Sequence, residues 1–194
     1  MPRLHLLPFV LCLACSGTEE PEVVEVAAVQ GGEASWTLEA GGSIEWTGNK
    51  PGGGHSGSFE NLSGYADVGE GNSLQSMVVQ IEMSSLTSDK EKLTKHLKDE
   101  DFFDIGKYPT STFTFSSFEE GMLKGELEMV GQTESIVAPV SLTWSEDALK
   151  VQGDFSIDRT RWGVSYHSKA LGTVADKIID DQVPLSIDLS FKAP

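Results

Sequence analysis

The chain has 194 residues and a formal net charge of −16 at pH 7, with 30 acidic side chains against 14 lysines and arginines. A surface this acidic repels phosphates, which excludes nucleic acids as partners and disfavours anionic lipid headgroups. The two cysteines are Cys12 and Cys15. The rest of the chain has no disulfide to rely on, so it must fold by burying apolar side chains.

The first fifteen residues have the layout of a secretory signal. Arg3 is followed by a short apolar run, too short to span a bilayer, and Cys15 follows a Leu-Ala pair as in a lipobox. We predict a signal peptide over residues 1–14 and lipidation of Cys15; the alternative is ordinary cleavage near Ala14 with a free Cys15. This predicts an exported bacterial lipoprotein, periplasmic or attached to the outer membrane.

An acidic segment follows the predicted leader. Residues 15–34 carry five glutamates, a proline and a glycine pair with little apolar periodicity, which predicts a flexible tether behind the lipidated cysteine. Residues 35–194 are then one domain. No apolar run in that domain approaches the roughly 20 residues of a transmembrane helix, so we expect membrane contact only through the lipidated N-terminus.

Apolar and polar residues alternate with period two through most of this domain. Such stretches predict half-buried antiparallel strands joined by short turns, for example at 145–147. The fold class is therefore all-β with about eight strands, and alternation alone leaves a barrel and a sandwich both open. The alternating stretches are 36–38, 44–46, 77–83, 113–115, 123–129, 140–144, 149–157 and 183–191.

One helix interrupts the strands. Ser88 and Glu91 have the spacing of a capping box, and Leu93 and Leu97 lie one turn apart on one face. The pattern predicts an α-helix over about 89–98.

Four segments in order resemble the YceI-like family of exported, lipocalin-like polyisoprenoid-binding proteins. Residues 81–86 resemble the strand before the family's helix, and residues 95–113 resemble its central signature. Residues 125–133 resemble its Gly-x-Leu hairpin, and residues 155–163 resemble its late Ile-Asp-Arg element. The resemblance covers about residues 43–191, with a glycine-rich connection after the first strand in place of the family's usual histidine-containing segment.

The resemblance implies an antiparallel lipocalin-like barrel of about eight strands around a lipid-sized cavity. Its ligand would be an isoprenoid, quinone-like or fatty-acid-derived molecule held by apolar contacts, which an eight-stranded barrel can accommodate. The residues that we predict to line the pocket are aromatic, and each could instead be ordinary core packing. They are Trp46, Phe59, Phe103, Phe113, Phe115, Phe155 and Trp162.

Residues suited to catalysis or metal binding form no known motif. His55, His96 and His167 are far apart in sequence, and there is no G-x-S-x-G elbow or phosphate loop. We predict no catalytic residue, no metal and no cofactor. Asp158 and Arg159 are interpreted as a structural ion pair or turn contact, with recognition of a ligand headgroup as the alternative.

Three functions remain open at this level. The leading one is an exported lipoprotein that binds or carries a long apolar lipid in its barrel. The second is a structural or interaction lipoprotein whose barrel is filled by its own side chains. The third, a metal-dependent hydrolase, requires the three histidines to converge. The oligomeric state is not predicted.

Overall fold

The computed structural model describes residues 27–169, 172 and 178–194. The predicted signal peptide, Cys15 and most of the predicted tether lie outside the described residues. The strands are β1 (Trp36–Leu38), β2 (Ser43–Lys50), β3 (Gly53–Phe59), β4 (Leu62–Gly69), β5 (Ser73–Glu82), β6 (Thr110–Glu119), β7 (Met122–Met129), β8 (Gln132–Pro139), β9 (Ser141–Trp144), β10 (Ala148–Asp158) and β11 (Gln182–Lys192). One α-helix, α1 (Glu91–Lys98), and two 3-10 turns, Met83–Ser85 and Arg159–Trp162, complete the described part.

All eleven strands belong to one antiparallel sheet, which confirms the predicted fold class. Laid end to end they make eight barrel strands, because β1 continues into β2, β3 into β4, and β8 into β9. Strand β11 pairs along β10 on one side, and on the other with β2 and then β1, with Leu185 opposite Trp46 and Phe191 opposite Leu38. The circuit closes through the β8–β9 strand, since β8 pairs with β7 and β9 pairs with β10.

Three strands, β3, β4 and β8, are absent from the alternating stretches of the sequence. In β4 the buried positions are occupied by Gly64 and Ala66, which give no hydrophobic signal. A methyl group on Gly64 would lie 2.2 Å from the carbonyl oxygen of Val78, so the close pairing of β4 with β5 requires glycine there. Gly53 and Gly54 begin β3 and are not part of a loop, which corrects the expected glycine-rich connection.

Helix α1 ends where the sequence predicts and begins two residues later. The capping box is absent, because Lys90 is the N-cap and makes no side-chain cap. The N–H groups of Thr87 and Asp89 donate to the carbonyls of Ser58 and Ser56 on β3 at 2.8 and 2.9 Å. These bonds tie residues 87 and 89 to β3, so the helix starts only after them.

The two halves of the barrel interior differ. One half is solid core, formed where β1, β9 and the ends of β10 and β11 meet. Trp36 packs edge-on against Trp144 there, with ring centroids 6.0 Å apart, and Leu149 and Phe191 are fully buried. The other half contains a cavity.

Helices of membrane-spanning length and apolarity are not found among the described residues.

A candidate ligand-binding cavity

A cavity of about 270 Å³ occupies the second half of the barrel. Its wall is made by the inward faces of the strands and is almost entirely aliphatic and aromatic. Met77 and Leu123 lie where the cavity meets the filled half. The strand side chains around it include Ile44, Val79, Ile81, Leu127, Met129, Ile136, Val151, Ile157, Val183, Leu185, Ile187 and Leu189.

Helix α1 and the segment after it cover one side of this cavity. Leu93 and Leu97 are the apolar face of the helix and both line the cavity. Phe102 and Phe103 follow, and Phe103 lies edge-on to Phe59 with ring centroids 6.5 Å apart. The end of the helix is attached to the barrel by a hydrogen bond of 2.6 Å from the Lys98 ammonium to the carbonyl of Ser84.

Five of the seven predicted lining residues do line the cavity: Trp46, Phe59, Phe103, Phe113 and Phe155. The other two predictions are corrected by the structure, because neither Phe115 nor Trp162 borders the cavity.

Trp162 is a core residue, and Phe115 is half-buried against the core. Phe115 lies two residues beyond Phe113 on β6 and packs against the main core outside the cavity. Trp162 is fully buried in a separate cluster with Leu127 and Met129, and its indole N–H donates to the carbonyl of Leu127 at 2.8 Å. The alternative weighed for each aromatic, plain core packing, therefore holds for these two.

Several lining residues are missing from the sequence-based set. Met77, Val79, Ile81 and Met83 form the inward face of β5 and the turn after it, and their alternation was already visible in the sequence. The spacing of the two helix leucines was visible too. What the sequence did not contain is the information that these faces border a cavity and not the filled core.

Among the described residues, Arg159 is the one buried charged side chain in the wall of the cavity, at 5% exposure. Its Nε donates to the carbonyl of Asp180 at 3.1 Å, Nη1 to that of Val164 at 2.7 Å, and Nη2 to that of Ile179 at 3.2 Å. Asp181 lies 3.4 Å from Nη2. Burial lowers the pKa of the guanidinium, and the nearby carboxylates of Asp181 and Asp158 partly offset this.

These contacts give Arg159 a structural task. It holds residues 178–181 against the turn that begins at Arg159, and Asp158 caps that turn by accepting from the N–H of Thr160 at 3.0 Å. The sequence interpretation of Asp158 as a turn contact agrees with this geometry, although the carboxylate nearest to the guanidinium is that of Asp181.

Polar groups gather where β2 and β3 meet at their hairpin. Gly48, Asn49, Lys50 and His55 line this part of the cavity. His55 Nδ1 lies 2.9 Å from Asp89 Oδ1, which joins the hairpin to the segment before the helix. Lys50 is exposed. The cavity thus has an apolar interior and a polar rim, the arrangement that suits a ligand with a long apolar part.

The three histidines of the predicted domain do not converge. His55 pairs with Asp89, whereas His96 lies 3.2 Å from Asp101. His167 stacks on Tyr166, which also contacts the His96 ring. In the part of the chain that the structure describes, no three histidine, cysteine or acidic side chains are grouped to hold a metal ion.

Comparison with known proteins gives one family match over the whole barrel. A family model described as "YceI-like domain" matches residues 36–191. UPF0312 proteins of Vibrio cholerae serotype O1 are 39% identical over 67 residues, 32% of this chain. That match spans about a third (35%) of the length of these curated relatives.

Solved structures share the fold at low sequence identity. Burkholderia cenocepacia BcnA superposes with a TM-score of 0.68 at 19% identity, covering 79% of this chain and 98% of BcnA. A polyisoprenoid binding domain from Saccharophagus degradans, implicated in plant cell wall breakdown, gives 0.68 at 16% identity, with coverages of 84% and 100%. A Campylobacter jejuni YceI protein gives 0.58 at 18% identity, with coverages of 91% and 94%.

Proposed function

The chain belongs to the YceI-like family, and on that premise we propose that it is a binding protein, not an enzyme, whose barrel holds the apolar chain of a lipid. The observation that carries the proposal is the cavity, with an apolar wall drawn from nearly every strand and from helix α1. Each methylene that leaves water for such a wall contributes about 0.8 kcal/mol, so a chain of ten carbons binds without any charged contact.

The volume of the cavity limits how much of the ligand it encloses. An apolar cavity of about 150 Å³ holds one benzene, or roughly 25 Å³ per carbon. By this scale the 270 Å³ seen here encloses about eleven carbons, or about two isoprene units. A longer chain would extend through the polar rim. The ligand class that we propose is an isoprenoid, a quinone-like lipid or a fatty-acid derivative, which agrees with the polyisoprenoid binding named for the Saccharophagus domain.

The second candidate is an interaction protein without a ligand. The filled half of the barrel favours it, because the fully buried Leu149 and Phe191 leave no space there. The cavity in the other half favours the lipid-binding function. We further propose that the protein is an exported lipoprotein, anchored to a membrane through acyl chains on Cys15, on the sequence features of its leader.

The test is to express the full chain in a bacterium, purify it in mild detergent and record native mass spectra before and after organic extraction. A ligand in the cavity is removed by extraction, whereas acyl chains on Cys15 are covalent and stay. Changing Cys15 to alanine should abolish the covalent increment and keep the extractable one. An unmodified Cys15 would contradict the lipoprotein assignment without affecting the binding function.

Two neighbouring residues of β8 provide a matched pair of variants. Ile136 points into the cavity, whereas Val137 points outward and is 54% exposed. Ile136→Trp should fill part of the cavity and lower the affinity for a fluorescent lipid probe about tenfold or more, because methylenes of the probe that the cavity would enclose then stay in water. Val137→Trp should leave that affinity unchanged. If neither the wild-type chain nor the two variants binds the probe saturably, the result would favour the interaction protein.

A further inference from the structure

The indole of Trp46 has a polar atom without a partner. Trp46 lies on the inward face of β2 and lines the cavity, close to Gly57 on β3, where a methyl group would be 2.6 Å from its Cζ2 atom. Its Nε1 is buried and donates no hydrogen bond, and among the described residues it is the one buried side-chain nitrogen or oxygen in this state. The buried indole of Trp162, by contrast, donates to Leu127.

Leaving this N–H unpaired is costly. A buried donor without an acceptor costs about 1–3 kcal/mol, and a buried tryptophan normally finds a partner for its N–H. The indole can only donate, so whatever satisfies it must be an acceptor. The neighbours of Trp46 along β2 and across on β11, Ile44 and Leu185, have no polar side-chain atom to accept it. His55, two residues from Gly57 on β3, pairs with Asp89 and not with the indole.

We propose that the ligand carries an uncharged oxygen acceptor, such as a ketone, ester, amide or quinone carbonyl, that accepts a hydrogen bond from Trp46 Nε1. The inference rests on the proposed lipid-binding function and specifies its ligand. A pure hydrocarbon chain leaves the N–H unpaired. A carboxylate is disfavoured at this depth, because an ion surrounded by apolar side chains needs a charged partner.

The charged groups of the wall lie elsewhere. Lys50 is four residues further along β2, about 13 Å away at the rise of an extended strand. The guanidinium of Arg159 is already occupied by three backbone carbonyls and by Asp181. Trp46 is therefore the residue that we assign to recognition of the ligand's neutral polar group, inside the barrel and next to Gly48 at its polar rim.

The experiment uses two ligands of equal shape, 2-undecanone and 2-methyl-1-undecene, which differ in a carbonyl oxygen against a methylene. Their affinities are measured by displacement of a fluorescent lipid probe from the full-length wild-type chain and from Trp46→Phe, which keeps an apolar ring and removes the N–H. The variant should bind the ketone about tenfold more weakly than the wild type does, and the alkene equally well or better.

Trp36→Phe is the matched control. Trp36 lies in the filled half of the barrel, outside the cavity, so this change should leave both affinities unchanged. A second readout needs no variant: the side-chain N–H resonance of Trp46 in the wild-type protein should move downfield when the ketone binds, and should stay in place with the alkene.

Four results would overturn the inference. Equal losses of ketone and alkene affinity in Trp46→Phe would assign Trp46 to packing only. If the variant fails to fold, the indole N–H resonance of the wild type decides: an equal response to both ligands would also assign Trp46 to packing only. If the wild-type chain binds the probe but prefers the alkene, only this inference fails; if it binds neither probe nor ligands, the proposed function fails with it.

Discussion

Two glycines lie next to the Trp46 ring. Gly57 on β3 and Gly48 on β2 both face this ring, but the space around them differs. A methyl group on Gly57 would lie 1.9 Å from the carbonyl oxygen of Thr87 and 2.6 Å from Trp46, whereas one on Gly48 would lie 3.6 Å from Trp46. Position 57 therefore requires glycine, because the backbone of residue 87 cannot move without breaking its bond to Ser58.

These distances give a matched prediction. Gly57→Ala should lower the free energy of unfolding by about 2 kcal/mol or more, as expected for overpacking against backbone. Gly48→Ala makes an ordinary van der Waals contact and should change it by less than about 1 kcal/mol. Urea unfolding of both variants measures the difference. If both lose the same free energy of unfolding, residue 87 does not lie as close to β3 as described.

Arg159 shows why a charged residue can belong to an apolar wall. A buried charge is tolerated when its hydrogen-bonding groups are satisfied, and here the backbone carbonyls of Asp180 and Val164 accept from the guanidinium. Its bond to the carbonyl of Ile179 connects two parts of the chain that are 20 residues apart. Its contribution is to the shape of the cavity, and no contact with a ligand is needed to explain it.

Helix α1 is an element that depends on the barrel. Its eight residues are too few to form a stable helix alone, since isolated helices shorter than about 12–15 residues are marginal in water. It is held by Leu93 and Leu97 against the cavity, by Lys98 on Ser84, and at its start by the pair of His55 with Asp89. The helix is therefore a cover whose position follows the packing of its two leucines.

Removing one leucine tests this view. Leu97 is 8% exposed, so Leu97→Ala should lower the free energy of unfolding by about 2–4 kcal/mol and loosen the cover over the cavity. Lys92→Ala, on the exposed face of the same helix, is the control and should change it by less than about 0.5 kcal/mol. Hydrogen exchange of the α1 amides should accelerate in Leu97→Ala alone; exchange that stays as slow as in the wild type would show that other contacts hold the helix.

At the scale of the whole molecule, the barrel is a core at one end and a cavity at the other. The filled half supplies the stability of a domain that has no cysteine beyond residue 15, and the other half contains the cavity. The leading interpretation of the sequence needs such a cavity, whereas the side-chain-filled barrel of the second interpretation describes only the other half.

The size of the open half predicts a length dependence. Affinities for a series of methyl ketones should rise by about 0.8 kcal/mol per methylene up to about eleven carbons, and then level off as further carbons remain in water. Probe displacement with C7 to C17 ketones measures the series. In thermal unfolding, each ketone should raise the Tm in the same order, because a ligand that binds only the folded state stabilises it. Affinity that keeps rising to C17 would mean that the barrel opens to enclose the whole chain.

Much of this architecture could be predicted from the sequence, and the failures have physical causes. Strands with large inward residues, such as β5, β7 and β11, were visible in their alternation. Strand β4 was not, because its inward Gly64 and Ala66 are small to allow close pairing. The helix start was placed two residues early, because hydrogen bonds of residues 87 and 89 to β3 are contacts between segments distant in sequence.

The sequence by itself determined the antiparallel all-β class, the inserted helix, the family and the aromatic character of the interior. These follow from local periodicity and from short motifs in a set order. Only the tertiary structure decided which inward residues border empty space, because alternation reports the face of a strand and not the depth along the barrel. That is why Phe113 lines the cavity, whereas Phe115, two residues further along the same face, packs against the core outside it.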